Sequence, residues 1–340
     1  MITCKILCHS NSSHISQVCT GFALLHKAGE IALSQECNQQ NYFDATKAPH
    51  LRDAKHAHLT VIVNAGIKFY YDCHDSYEIN EAAAGEVDCY FKRSYAPTMI
   101  PDSLRAKVFP LGLNYALFSG KFDRFEQQRL AAFEPELNNE SYKQQFRPTV
   151  ENMHAVPNGS HDPRVLFITR AWDSNYYSSE SLNETRARCI ELLREKFGNH
   201  FLGGFVHSDY AVRNYPHVLL QDNGISAKED FVKLLSLYPI CIATTGLHGS
   251  IGWKLAEYVA FSRAIVSERL NYQVPGDFKP GKNYLEFDEP EEVVALVDRL
   301  MTNDALRHAM MKANHDYYLN YLKPDAMIRR TLRIGLSNSK

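Results

Sequence analysis

Two stretches combine residue types and spacings that can do chemistry. The first reads Ile240-Cys241-Ile242-Ala243-Thr244-Thr245-Gly246-Leu247-His248-Gly249-Ser250-Ile251-Gly252-Trp253-Lys254-Leu255-Ala256-Glu257-Tyr258. An apolar run of strand type enters a glycine-containing turn, and the turn opens a helix. Gly246, Gly249 and Gly252 allow a ligand to approach the backbone closely. The helix N-terminus adds N–H groups and a partial positive charge, a seat for phosphate. Thr245, His248 and Ser250 share that turn and are expected at the same ligand. Lys254 and Glu257 stand three apart, on one helix face. Lys254 could neutralise a pyrophosphate while Glu257 accepts hydrogen bonds from ribose hydroxyls. The plain alternative is an ion pair between them on a solvated face.

The second stretch is Tyr70-Tyr71-Asp72-Cys73-His74-Asp75-Ser76. Two carboxylates and an imidazole at a strand end can supply a general base. Alternate strand residues point to opposite faces, so Asp72 and His74 share a face only if the strand continues through them. Asp75 falls in the turn and is the preferred base, its carboxylate free to reach a substrate. His74 is the second choice, with an ordinary pKa already near neutrality. The alternative is that these polar residues simply end a strand and start a turn. Arg170 closes the run Arg164-Val165-Leu166-Phe167-Ile168-Thr169, where its guanidinium can bind phosphate oxygens bidentately or pair with Asp173. Trp172, Tyr176 and Tyr177 can stack on a base or a sugar, or pack back on the domain. Lys92 and Arg93 either contact an anionic substrate or are solvated.

The elements that must position these groups follow from the alternation of short apolar runs with amphipathic stretches, the pattern of βα units and parallel sheets. Strands are expected at Thr3–Cys8, Leu59–Val63, Phe69–Tyr71, Val87–Phe91 and Lys107–Pro110, with a helix over Ile15–Lys27. A polar, surface-helix pattern covers Asp123 to about Gln145, and an aperiodic stretch from 147 to 163 reads as a linker. The alternation restarts with a strand at 164, helix Asn183–Phe197 and strand His200–Phe205. Helix Ala227–Leu237, strand Ile240–Thr244, helix Ser250–Phe261 and strand Ala264–Ser267 come next, then strand Tyr284–Phe287 and helices Pro290–Thr302, Asp304–Leu322 and Asp325–Ile334. The expectation is two α/β domains, 1–150 and 164–340, with a last helix that can return to the first. Ligands of such sheets bind at the carboxyl ends of the strands, so the cleft between the domains is the expected site.

The chain has 340 residues, which at ~150 per domain fits two domains. With 37 Lys+Arg against 39 Asp+Glu the formal charge is −2, and no basic stripe points to nucleic acid. Hydrophobic residues make up 45% and charged ones 22%, a balance that excludes disorder across the chain. No window reaches the ~18 consecutive apolar residues of a membrane span. The N-terminus turns polar at Ser10-Asn11-Ser12-Ser13, too early for a signal peptide, so a cytoplasmic location is expected, with peripheral membrane contact left open. The eight cysteines show no C-x₂-C spacing. Cys4, Cys8, His9 and His14 can be drawn as a metal cluster, but a strand followed by a loop accounts for them equally well, and no metal or other cofactor is expected.

The segment Lys254-Leu255-Ala256-Glu257-Tyr258-Val259-Ala260, then Ser262-Arg263-Ala264-Ile265-Val266-Ser267, resembles the donor-binding segment of GT-B glycosyltransferases of the group 1 kind. There a Glu-bearing helix is followed by a small-residue turn and a strand. The continuation Gly281-Lys282-Asn283-Tyr284-Leu285-Glu286-Phe287 with helix Pro290–Thr302 is similar too. The resemblance spans about 164–335; the first half is similar only in its α/β character. It implies two Rossmann-like domains facing a cleft and transfer of a sugar from a nucleotide-activated donor to a hydroxyl of a saccharide or other acceptor, in surface polysaccharide or glycoconjugate synthesis. It further implies that Arg170 and Lys254 balance the departing nucleoside diphosphate without a metal. Many retaining members carry Glu-x₇-Glu; its second Glu falls on Glu257 and its first on Gly249, which puts that mechanism in doubt. An inverting enzyme needs a base for the acceptor hydroxyl, the role open to Asp75, His74 and Asp72. Competing readings are a GT-B-like nucleotide-sugar epimerase, a metal-dependent hydrolase around Asp72, His74 and Asp75, and a non-catalytic nucleotide-sugar-binding protein.

Overall fold

The computed structural model describes residues 1–37, 57–120, 123–133, 146–157, 163–173, 175–176 and 179–338. Part of the surface-helix pattern that follows Asp123, part of the linker and Tyr177 lie outside them. The chain forms two compact units. The first comprises Met1–Asn152, Tyr272–Gly276 and Leu319–Lys340, the second Met153–Asn271 and Asp277–Tyr318. Two late segments of chain thus join the first unit, the closing one including the last helix.

In the first unit the strands are β1 (Ile2–Cys8), β2 (Ile31–Cys37), β3 (His58–Val63), β4 (Ile67–Asp72), β5 (Cys89–Lys92) and β6 (Val108–Pro110). They form one sheet in the order β2-β1-β3-β4-β5-β6. The sheet is mixed, which corrects the expected parallel arrangement: β3 runs antiparallel to both β1 and β4. The cause is local. Only Asn64, Ala65 and Gly66 separate β3 from β4, and Asn64 and Ala65 take positive φ (51° and 58°). So short a connection makes a hairpin; a parallel crossover needs a dozen residues or more. Strand β2 was not expected, and neither was the short helix α2 (Glu81–Glu86). Helix α1 (Ser16–Lys27) buries Val18, Cys19, Phe22 and Leu25 at helical spacing.

Helix α3 (Arg124–Phe133) covers the start of the polar stretch, whose residues 134–145 lie outside those described. The second unit holds β7 (Val165–Thr169), α4 (Ser179–Phe197), β8 (Phe201–Phe205), α5 (Asp209–Asn214), α6 (Lys228–Leu237), β9 (Ile240–Ala243), α7 (Trp253–Ala260), β10 (Ala264–Glu268), β11 (Leu285–Phe287), α8 (Val293–Thr302) and α9 (Asp304–Tyr317). Its sheet, β11-β10-β9-β7-β8, is parallel at every pairing. Phe167, Ile190, Leu193, Ile242, Val266 and Val297 are among the residues of its core.

The closing helix α10 (Pro324–Asn338) belongs to the first unit and seats against α1. Gly21 makes that seat possible, since a Cβ there would lie 2.4 Å from the Pro324 carbonyl and from Ile328. Tyr71 and Thr331 hydrogen-bond at 2.8 Å, and Arg330 donates to the carbonyls of Pro110 and Leu111 at 3.0 and 2.6 Å. Among the described residues, no helix is long and apolar enough to cross a membrane.

Candidate active site

In the second unit the carboxyl ends of β7, β9 and β10 fall on one edge, because the strands run parallel. Thr245 leaves β9 with its N–H and hydroxyl both donating to Glu268 Oε2, at 2.8 and 2.9 Å. The chain then doubles back: Gly246 N donates to Ser250 O at 2.7 Å. His248 and Gly249 take positive φ (59° and 65°), and a Cβ on Gly249 would meet Asn271 Nδ2 at 2.7 Å. A glutamate at position 249 would therefore meet both left-handed backbone and occupied space. Helix α7 starts at Trp253 rather than Ser250, since Ser250 and Gly252 are extended, and no side chain caps its N-terminus. A helix N-terminus carries a partial positive charge that suits an anion.

Lys254 and Glu257 do not pair with each other at contact distance. Glu257, buried, is instead paired through Oε1 with Lys228 of α6. The Lys254 ammonium instead sits 3.6 Å from the Phe231 ring centroid, a cation–π contact. Burial lowers its pKa to about 8, and the positive charges of Lys228 and Arg170 act in the same direction against Glu257. Arg170 is exposed, with its guanidinium 5.5 Å from the Trp172 ring centroid; Trp172 and Tyr176 meet edge to face at 5.6 Å. The structure thus brings Arg170 and Lys254 into one electrostatic neighbourhood at the turn.

Residues outside the sequence reading hold this edge together. Buried Arg186 donates to Thr244 Oγ1 (2.9 Å) and to the carbonyls of Arg170 and Thr245 (2.8 Å each), tying β7 to β9. Asn183 accepts from Trp172 N at 2.8 Å and donates to its carbonyl at 2.7 Å. Both lie on the apolar stripe of α4 with Ile190, Leu193 and Phe197. Two polar side chains at that spacing were the available signal.

In the first unit the polar cluster lies where β4 and β5 end. Asp72 is fully buried and accepts from Lys92 Nζ at 2.9 Å, from the Tyr90 hydroxyl, and from His74 N and Nδ1 at 3.0 and 2.8 Å. Burial raises its pKa, but the charges and hydrogen bonds of Lys92 and His74 outweigh that and hold the carboxyl well below the ordinary range. The strand stops at Asp72, yet Asp72 and His74 still meet. The side chain accepts from the backbone two residues on, a turn typical of Asp. Because the carboxylate can only accept, His74 Nδ1 is the donor in that hydrogen bond. Asp75, a third exposed, is paired with Arg93, which corrects its placement as a carboxylate free to reach substrate. Lys92 and Arg93 are both buried in these pairs, neither solvated nor open to an anionic substrate. Among the described residues no group of three His, Cys, Asp or Glu side chains could hold a metal ion. Cys4 and Cys8 are buried free thiols, with Cys8 donating to the Ser10 carbonyl at 3.0 Å.

Residues 186–333 match the family model described as glycosyl transferase-like. Solved structures similar to the chain include HepE from Anabaena in complex with UDP and glucose, at 10% identity and TM-score 0.37, with 96% of this chain and 98% of that one covered. Another is TarM from S. aureus in complex with fondaparinux, alpha-GlcNAc-glycerol and UDP, at 14% identity and TM-score 0.43; the match covers 94% of this chain and 58% of TarM. A third is a glycosyltransferase from Rickettsia africae, at 14% identity and TM-score 0.38, covering 94% and 88%. No curated protein matches the sequence. The match takes in most of the second unit, including the glycine turn, Lys254 and Glu257, so residues 186–333 are similar to glycosyl transferase-like proteins.

Proposed function

We propose that the chain transfers a glycosyl group from a nucleotide-activated donor to a hydroxyl of a saccharide or other acceptor, in the synthesis of a surface polysaccharide or glycoconjugate. The donor's diphosphate takes the uncapped start of α7 and the turn 245–252, with Lys254 and Arg170 supplying positive charge. These cations fill the part that a metal would otherwise play in stabilising the leaving group, so the reaction proceeds without one. Among the described residues neither cation has a carboxylate at contact distance, and this is the observation that carries the reading. Charge unspent within the fold is available to a ligand.

In the first unit the proposed base is His74 rather than Asp75. Asp72 orients the imidazole and favours the tautomer with Nε2 free of hydrogen, the state that can take a proton from an attacking hydroxyl. Lys92 and Tyr90 fix Asp72 in turn. A general base for the acceptor hydroxyl belongs to an inverting displacement. The test is a panel of UDP-, GDP- and dTDP-sugars, screened by thermal shift and then by nucleotide release with mixed saccharide acceptors. At least one donor should raise the apparent stability and release nucleotide faster with acceptor, in the presence of EDTA. Stabilisation without release would leave a binding protein, and no stabilisation by any of them would overturn the reading.

A further inference from the structure

The proposed base belongs to a column of rings within the first unit. Alternate residues of a strand share a face, so Tyr70 and Asp72 of β4 lie on one face of the sheet. Across the ladder, His58 of β3 is the partner of Asp72 and Tyr90 of β5 is the partner of Tyr70. Tyr90 and Tyr70 meet with ring centroids 4.8 Å apart. Tyr70 and His58 stack at 5.3 Å, and His58 and His74 stack at 5.8 Å with their planes 28° apart. The column closes on one carboxylate: the Tyr90 hydroxyl donates to Asp72 Oδ2, and His74 Nδ1 to Asp72 Oδ1. All four rings and the carboxylate are buried.

The backbone of His74 is held at both its polar groups. Its N–H donates to Asp72 Oδ1 at 3.0 Å, and its carbonyl accepts from Ser94 Oγ at 3.1 Å. These bonds do not fix the ring. The second side-chain torsion of a histidine is broad, and a hydrogen bond at Nδ1 tolerates a range of angles. Asp72 therefore sets where the ring pivots, while a flat neighbour is needed to set which way its plane faces. Ring pairs at such separations prefer offset, near-parallel stacking, and His58 is itself braced by Tyr70. We infer that His58 is a positioning residue whose ring face sets the plane of the His74 imidazole and so aims Nε2. The inference rests on the reading of His74 as the base and adds what aims it.

Substitutions at His58 separate the flat face from the space it fills. His58→Leu keeps an apolar filler but no plane, and should lower kcat by about 10–10²-fold, the scale of a ~1 Å misplacement. Acceptor KM and donor affinity should hardly change, a split that a merely structural residue would not produce. His58→Phe restores a flat ring that neither titrates nor hydrogen-bonds, and should recover most of the loss. A second readout needs no substrate. In histidine-labelled protein the ring ¹H–¹⁵N signals of His74, assigned by their loss in His74→Ala, should shift or broaden in His58→Leu and return in His58→Phe. If urea unfolding shows that His58→Leu does not fold, His58→Gln, polar and ringless, takes its place with the same expectations. Wild-type turnover in the ringless variant, or equal losses in it and in His58→Phe, overturns the role of the face and leaves the base reading standing. Near-normal turnover in His74→Ala overturns the base reading, while unchanged His74 signals in the ringless variant overturn the stack alone.

Discussion

In the first unit Asp72 meets Lys92, Tyr90 and His74, and Asp75 meets Arg93. In the second, Lys254 rests on a phenyl ring and Arg170 lies by an indole. The first cluster spends its charges on one another; the second leaves two cations to the solvent or a ligand. On the proposed function the difference separates two jobs. A base must be held in one tautomer and one orientation, which calls for a closed network of satisfied partners. A diphosphate must enter and leave, which calls for cations and backbone N–H groups not already neutralised.

The largest expected effect is on the closed network. Asp72→Asn removes the charge opposite buried Lys92 and should cost about 3–5 kcal/mol of stability, the scale for breaking a buried pair from one side, read by urea unfolding. Arg170→Ala, at an exposed position, should shift the same curve by no more than about 0.5 kcal/mol. Equal effects would break the contrast. Because the folded-state pKa of Asp72 is depressed, its contribution is present above the ordinary value of 3.8 and is lost as pH falls below it.

His74→Ala should lower transfer by about 10²–10⁴-fold, the usual contribution of a general base. Asp75→Asn should lower it much less, since Asp75 answers Arg93 and not the acceptor; a larger loss in Asp75→Asn would return the base to that carboxylate. The pH dependence of donor binding is a subtler test. Lys254 is charged below its lowered pKa of about 8, so donor affinity should be full below that pH and fall as pH rises through it. Lys254→Arg keeps its charge throughout and should flatten the profile, measured by nucleotide titration at several pH values.

Much of this was legible in the sequence. The run Ile240–Ala243 followed by glycines and Lys254 announced a strand, a turn and a helix because each period and each breaker is local. What stayed hidden were the pairings. Glu257 is held by a lysine 29 residues away, and Asp72 by one 20 residues away; no local rule gives such partners. Strand β2 was missed because Ser34, Gln35 and Glu36 interrupt its apolar pattern, and only pairing with β1 makes it a strand. Asp75 was favoured over His74 because a turn position was equated with freedom, whereas Arg93, at the neighbouring strand's end, had already claimed it.

The division of labour between the two regions is tested most directly by measuring nucleotide-sugar affinity and turnover side by side in His74→Ala and Lys254→Ala. The account predicts a crossing. His74→Ala binds donor as the wild type does but turns over about 10²-fold or more slowly, while Lys254→Ala loses about 1.5–3 kcal/mol of donor affinity, the scale of a charged hydrogen bond. A His74→Ala variant with near-normal turnover, or a Lys254→Ala variant with unchanged donor affinity, would contradict it.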